Sequence, residues 1–121
     1  MTQPTNDWRL PTPWESSIFA RLMMGHFQGA DEIREQLASA SVRTLDDWCS
    51  FSIQTTSPAK AKEITRVPVE AHGSDTDGHL IHYLLHVGDG FVHELEVYTD
   101  TIEDPHRHPD VDELTVEVNN D

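Results

Sequence analysis

The sequence predicts an α+β fold in which two N-terminal helices pack on an antiparallel meander sheet of four to five strands. Three observations carry this reading. Helix start signals and a helical apolar period occupy residues 12–41, the period changes to two at Trp48, and turns rich in Gly and Asp separate the later alternating runs. A chain of 121 residues fits one domain, and its Trp, Phe and Tyr residues suffice to seed one core.

Residues 1–11 contain Pro4 and Pro11 and show no periodicity, so they read as a flexible N-terminal arm ahead of a single domain over residues 12–121. Thr12-Pro13-Trp14-Glu15 is a sharp helix start. Thr12 can cap, Pro13 suits the first helical position because no needed donor is lost there, and Glu15 completes a capping box. Ile18, Leu22 and either Phe19 or Met23 form an apolar stripe reaching Met24, with Gly25 as the stop. A second helix follows Gly29. Asp31 and Glu32 suit the positive end of its dipole, Ile33 and Leu37 lie one turn apart, and it fades by Ser41.

From Trp48, the residues Cys49, Phe51 and Ile53 alternate with polar neighbours as a half-buried strand. Residues 55–61 form a polar loop, and residues 64–71 a second strand whose Pro68 argues for an edge or a bulge. Residues 72–78 are a turn by composition. Residues 79–87 and 91–98 are strands joined at Gly88-Asp89-Gly90, and Leu114, Val116 and Val118 alternate as a short last strand. If Val87 faces Phe91 across a three-residue turn, His82 lies against Glu96, Leu84 against Glu94 and His86 against Val92. Ile81, Tyr83, Leu85, Val87, Phe91, Leu95 and Val97 then share the core face, with His93 as its polar member. Val69 is expected beside His82. The opposite face becomes a mixed patch of apolar residues, His and Glu.

The segments Asp75-Thr-Asp-Gly78, Ile81-His82, Leu84-Leu-His-Val87, Asp89-Gly90 and Glu94-Leu-Glu-Val-Tyr98 resemble a small bacterial domain family of unknown function. Its members show a DG turn, an IHxLLHV strand, a second DG turn and an ELEIY strand. The resemblance covers residues 62–104 and departs after Tyr98, where the family's further Asp-Gly is missing. It implies the same order of elements and brings no catalytic residues with it.

Charge is the most informative bulk property. Residues 1–66 hold seven Lys or Arg against eight Asp or Glu, a net of −1. Residues 67–121 hold only Arg107 against fourteen acids, a net of −13, together with seven of the eight His. Such a surface repels nucleic acid and anionic membranes and attracts basic proteins or cations. Cys49 is the single cysteine, which fits a reducing compartment, and no apolar run suggests a membrane span or a signal peptide. A cytoplasmic location is the expectation.

Motifs for chemistry are sparse. His82 and His86 have the H-x-x-x-H spacing, but on a strand they stand about 13 Å apart, too far for one ion. His106, His108, Asp110 and Asp112 could hold a loop cation, and Asp75 with Asp77 matches only part of a calcium loop. No G-x-S-x-G, reactive cysteine or phosphate loop is present, and Cys49 reads as a small core residue. These readings lead to no enzyme, no catalytic residue, no cofactor and no metal ligand.

The expected function is that of an acidic cytoplasmic binding protein, of the immunity or inhibitor type, that neutralises a basic protein such as a toxin or nuclease. Its partner-binding residues would be His82, His86, Glu94, Glu96, Asp100, Glu103, Asp104, Asp110, Asp112 and Glu113. One alternative is a small enzyme or cation-binding domain that uses the His/Glu face. Another is a homodimeric interaction domain. His–Glu pairs across strands also stabilise a sheet by a few tenths to about 1 kcal/mol without further role.

Overall fold

The computed structural model describes residues 8–46, 49–100 and 108–119. Two helices, α1 (Pro13–Leu22) and α2 (Ala30–Ala38), precede six strands: β1 (Ala40–Thr44), β2 (Phe51–Thr55), β3 (Val69–Ser74), β4 (Leu80–Gly88), β5 (Phe91–Thr99) and β6 (Thr115–Val118). A short 3₁₀ turn, Val111–Glu113, leads into β6. The strands form one sheet in the order β1-β2-β5-β4-β3-β6, and every neighbouring pair is antiparallel. The fold is α+β as expected, with six strands rather than four or five.

The additional strand is β1, at one sheet edge. It starts two residues after α2 ends, within the stretch expected to be fading helix, and only Ala40 and Val42 face the core. Alternation that short carries little signal. A meander exists only over β3, β4 and β5. The β1–β2 hairpin joins the free side of β5, while β6 closes onto β3. Arg9 adds a single bridge outside β1, with reciprocal backbone hydrogen bonds to Val42. Residues 1–7 of the expected arm lie outside the described residues.

The first helix begins as its residues dictate. Thr12 Oγ1 accepts the Glu15 N–H, and the Glu15 carboxylate accepts the Thr12 N–H at 2.8 Å. Glu15 also takes both guanidinium nitrogens of Arg9, at 2.7 and 2.9 Å. Ile18, Phe19, Leu22 and Met23 are buried, which is the predicted stripe. The helix ends at Leu22 rather than near Gly25. Gly25 serves close packing instead, since a Cβ there would lie 2.8 Å from Val118 Cγ2 of β6.

Helices α1 and α2 cover one face of the sheet. Beneath them lie Val42, Phe51, Ile53, Val69, Ala71, Ile81, Tyr83, Leu85, Val87, Val92, Leu95 and Val97, all buried. Phe19 meets Phe51 edge-on at 5.7 Å, and Trp14 lies 6.3 Å from Tyr83. Gln36 of α2 is fully buried. It donates to the carbonyls of Ala59 and Gly90 and accepts from Val92 N–H, tying the helix to the β4–β5 turn.

Several expected boundaries move. The strand beginning at Trp48 starts at Phe51 instead; Trp48 itself lies outside the described residues. Cys49 is half-buried with a φ of 77°, so it leaves the strand alternation and is not a core residue; burial pushes its thiol pKa up. The strand after the polar loop begins at Val69, past Pro68, and runs on to Ser74. Pro68 lacks an N–H for the ladder, which puts the strand start after it. The turn therefore shortens to Asp75–Gly78, where Asp75 Oδ1 accepts the N–H groups of Asp77 and His79.

The β4–β5 register also differs from expectation, for two additive reasons. Asp89 and Gly90 both have positive φ, 52° and 85°, as a two-residue type I′ loop requires, so Gly88 pairs with Phe91. A bulge then shifts the pairing by one more residue: Val87 faces Val92 but His86 faces Glu94, leaving His93 extra. Beyond the bulge, Leu84 opposes Glu96, and His82 opposes Tyr98 rather than Glu96. Because the total displacement is two residues, Ile81, Tyr83, Leu85, Leu95 and Val97 keep the inner face predicted for them. Between turn and bulge the assignment inverts, so Val92 is buried while His93 is exposed.

Candidate functional site

The sheet face opposite the helices carries no covering element among the described residues, and the candidate residues of β4 and β5 stand on it. Strict alternation in β4 puts Leu80, His82, Leu84 and His86 outward, each half-buried, against the four buried residues between them. Strand β5 contributes His93 and Glu94 together at the bulge, then Glu96 and Tyr98. Strand β3 adds Glu70 and His72, with His72 opposite His82 instead of Val69.

The histidines are held by carboxylates one step along the neighbouring strand. His86 Nε2 lies 2.8 Å from Glu96 Oε1, and His82 Nε2 lies 3.1 Å from Asp100 Oδ1. Both are diagonal contacts created by the shifted register. The His82 ring stacks on Tyr98 at 4.6 Å with 14° between planes, and His72 lies 6.3 Å from His82. Burial and then the charges of Glu70, Glu96 and Asp100 push the Tyr98 hydroxyl pKa up. Glu70 accepts from Asn119 at 3.0 Å. Arg43 of β1 lies over the Trp8 ring at 4.8 Å.

Of the predicted binding residues, the structure brings together His82, His86, Glu94, Glu96 and Asp100. Asp110, Asp112 and Glu113 do not join them. Their segment packs on the helix side, where Pro109 and Leu114 sit so close over Gly73 that a Cβ there would come 2.7 Å from Leu114 Cδ2. Arg21 of α1 donates two hydrogen bonds to the Leu114 carbonyl. The three acids are exposed, and Asp110 and Glu113 help line a polar cleft of about 460 Å³ beside Ser74, Asp75 and His108. Glu103 and Asp104 lie outside the described residues, as does His106.

Sequence reasoning missed the contributions of Glu70, His72, His93 and Tyr98. The two-residue Asp-Gly loop signal carries the turn, but the bulge that brings His93 outward leaves no local trace. Sequence reasoning also missed the inner cluster at His108. Its Nδ1 lies 2.8 Å from the Tyr83 hydroxyl and its ring 4.7 Å from Trp14. Burial holds the His108 pKa below its ordinary value and pushes that of Tyr83 up.

No helix among the described residues is long and apolar enough to cross a membrane. No family model, curated protein or solved structure matches the chain.

Proposed function

We propose that the open sheet face is a docking surface for a basic protein, and that the chain acts as an immunity- or inhibitor-type binding protein. The observation that supports this reading is the uncovered face itself. Glu94, Glu96 and Asp100 project there among four histidines, and β3–β6 contain no Lys or Arg. Surrounding charge strengthens the case, since residues 67–121 carry a net of −13. Acids fixed on a rigid sheet attract a basic cleft over long range and speed encounter. Half-buried Leu84 and the Tyr98 ring supply apolar contact at the centre of the same patch.

The reading is tested by capturing partners from the native host on the immobilised chain, then measuring the affinity of the protein recovered. A basic protein is expected, with capture that weakens between 50 and 500 mM salt, as about 8 Å screening at physiological strength predicts. Replacing Glu94 and Glu96 with Gln and Asp100 with Asn should weaken that affinity by about tenfold, since exposed ion pairs contribute about 0.2–1 kcal/mol each. Capture unaffected by both salt and the triple replacement would rule out this face as the docking surface.

A further inference from the structure

We infer that His86, Glu94 and Glu96, with His93 as a fourth donor, form a binding site for a transition-metal dication of the zinc class. The site shares Glu94 and Glu96 with the docking face proposed above but requires no protein partner. One imidazole nitrogen of His86 and one carboxylate oxygen each from Glu94 and Glu96 all lie within 4.8 Å of one another. The donors come from two adjacent strands of a rigid sheet, so little ordering remains to be done on binding.

The bulge in β5 is what assembles this set. Regular alternation would send either His93 or Glu94 into the core, whereas the extra residue places both on the open face beside His86. The His93 ring lies 6.0 Å from the His86 ring and joins the set by turning its side chain toward the ion. It rests over Gly88, where an added Cβ would come 3.3 Å from His93 Cδ2, so the glycine leaves room for the ring. Neither Glu94 nor Glu96 is ion-paired with Lys or Arg among the described residues; Glu96 holds His86 Nε2 at 2.8 Å, a contact whose shared proton a metal ion would replace.

The donor set selects the metal. Two imidazoles and two carboxylates suit zinc and its neighbours, whereas calcium and magnesium prefer oxygen ligands alone and more of them. A second grouping, Asp75, Asp77 and His79, differs in kind. There Asp75 Oδ1 already accepts two backbone N–H groups that close the turn, which makes it an internal control.

The test uses the full chain stripped of metal and titrated calorimetrically with Zn²⁺ at pH 7.5, with Co²⁺ absorption reporting the ligand field. One ion per chain is expected, with a Kd at or below about 10 µM. His86→Ala and Glu96→Gln should each weaken binding by tenfold or more, and His93→Ala should alter the Co²⁺ spectrum. The pair Asp77→Asn with His79→Ala should leave affinity unchanged, as should millimolar Ca²⁺ or Mg²⁺. These outward-facing positions allow the variants to fold, and circular dichroism checks that they do. Zinc bound equally well by His86→Ala, or no binding tighter than about 100 µM, would overturn the assignment.

Discussion

Replacing Gln36 with Leu tests how the bulge and its turn are held. Strand β2 pairs with β5 only at Glu94 and Leu95, beyond the bulge, so the Val92 N–H has no strand partner and Gln36 Oε1 accepts it at 2.9 Å. Leucine fills a similar volume without these bonds. The Gly90 carbonyl keeps a bond from Ala61 N–H at 3.0 Å, and the Ala59 carbonyl is close enough to the surface to reach water. The buried Val92 N–H therefore bears most of the loss. An unsatisfied buried group costs about 1–3 kcal/mol, so with a smaller share from Ala59 the expected destabilisation is about 2.5 kcal/mol. Unfolding entropy of about 2.1 cal/mol/K per residue converts this, over 121 residues, to a drop of about 10 °C in Tm. Urea and thermal denaturation measure it, with exposed Glu35→Gln as a control expected to stay within about 0.5 kcal/mol. A Gln36→Leu protein within about 0.5 kcal/mol of the parent would refute the claim that this side chain substitutes for a missing strand.

Two further outcomes follow from the helix start and the inner histidine. Glu15→Gln keeps an acceptor for the Thr12 N–H but loses the charged pairing of both carboxylate oxygens with Arg9, so it should cost about 1–2 kcal/mol at pH 7. Burial pushes the Glu15 pKa up, but the Arg9 and Thr12 hydrogen bonds outweigh it and leave the pKa below its ordinary value. That stabilisation is therefore present above about pH 4.3 and lost as pH falls through the folded value; urea midpoints for parent and variant should converge in acid. His108 behaves in the same direction for a different reason. Its folded pKa is depressed by burial, so the unfolded chain takes up a proton first, and stability falls as pH drops below about 6.5. His108→Gln should flatten the pH dependence of Tm between pH 7 and 5, and an unchanged slope would show that burial of this ring is not its source.

Local chemistry determined much of this protein before any long-range contact is considered. The helix start at Thr12-Pro13-Trp14-Glu15 depends on groups within four residues, and it forms as the residues require. Inner-face positions in β4 and the outer half of β5 follow from a period of two, which survives any even change of register. The uneven charge is a property of composition alone.

Tertiary structure decided which of those residues meet. Strand β1 exists because β2 supplies its ladder, although its own alternation is too short to announce it. The Asp89-Gly90 loop and the bulge after it move every cross-strand partner beyond the bulge by two, which exchanges an expected His82–Glu96 contact for His86–Glu96 and His82–Asp100. The bulge itself depends on Gln36, more than fifty residues away, accepting a backbone N–H that no strand reaches. A sequence period assigns residues to faces, but the position of neighbours along a face is set by turn geometry and by where the remaining backbone hydrogen bonds go.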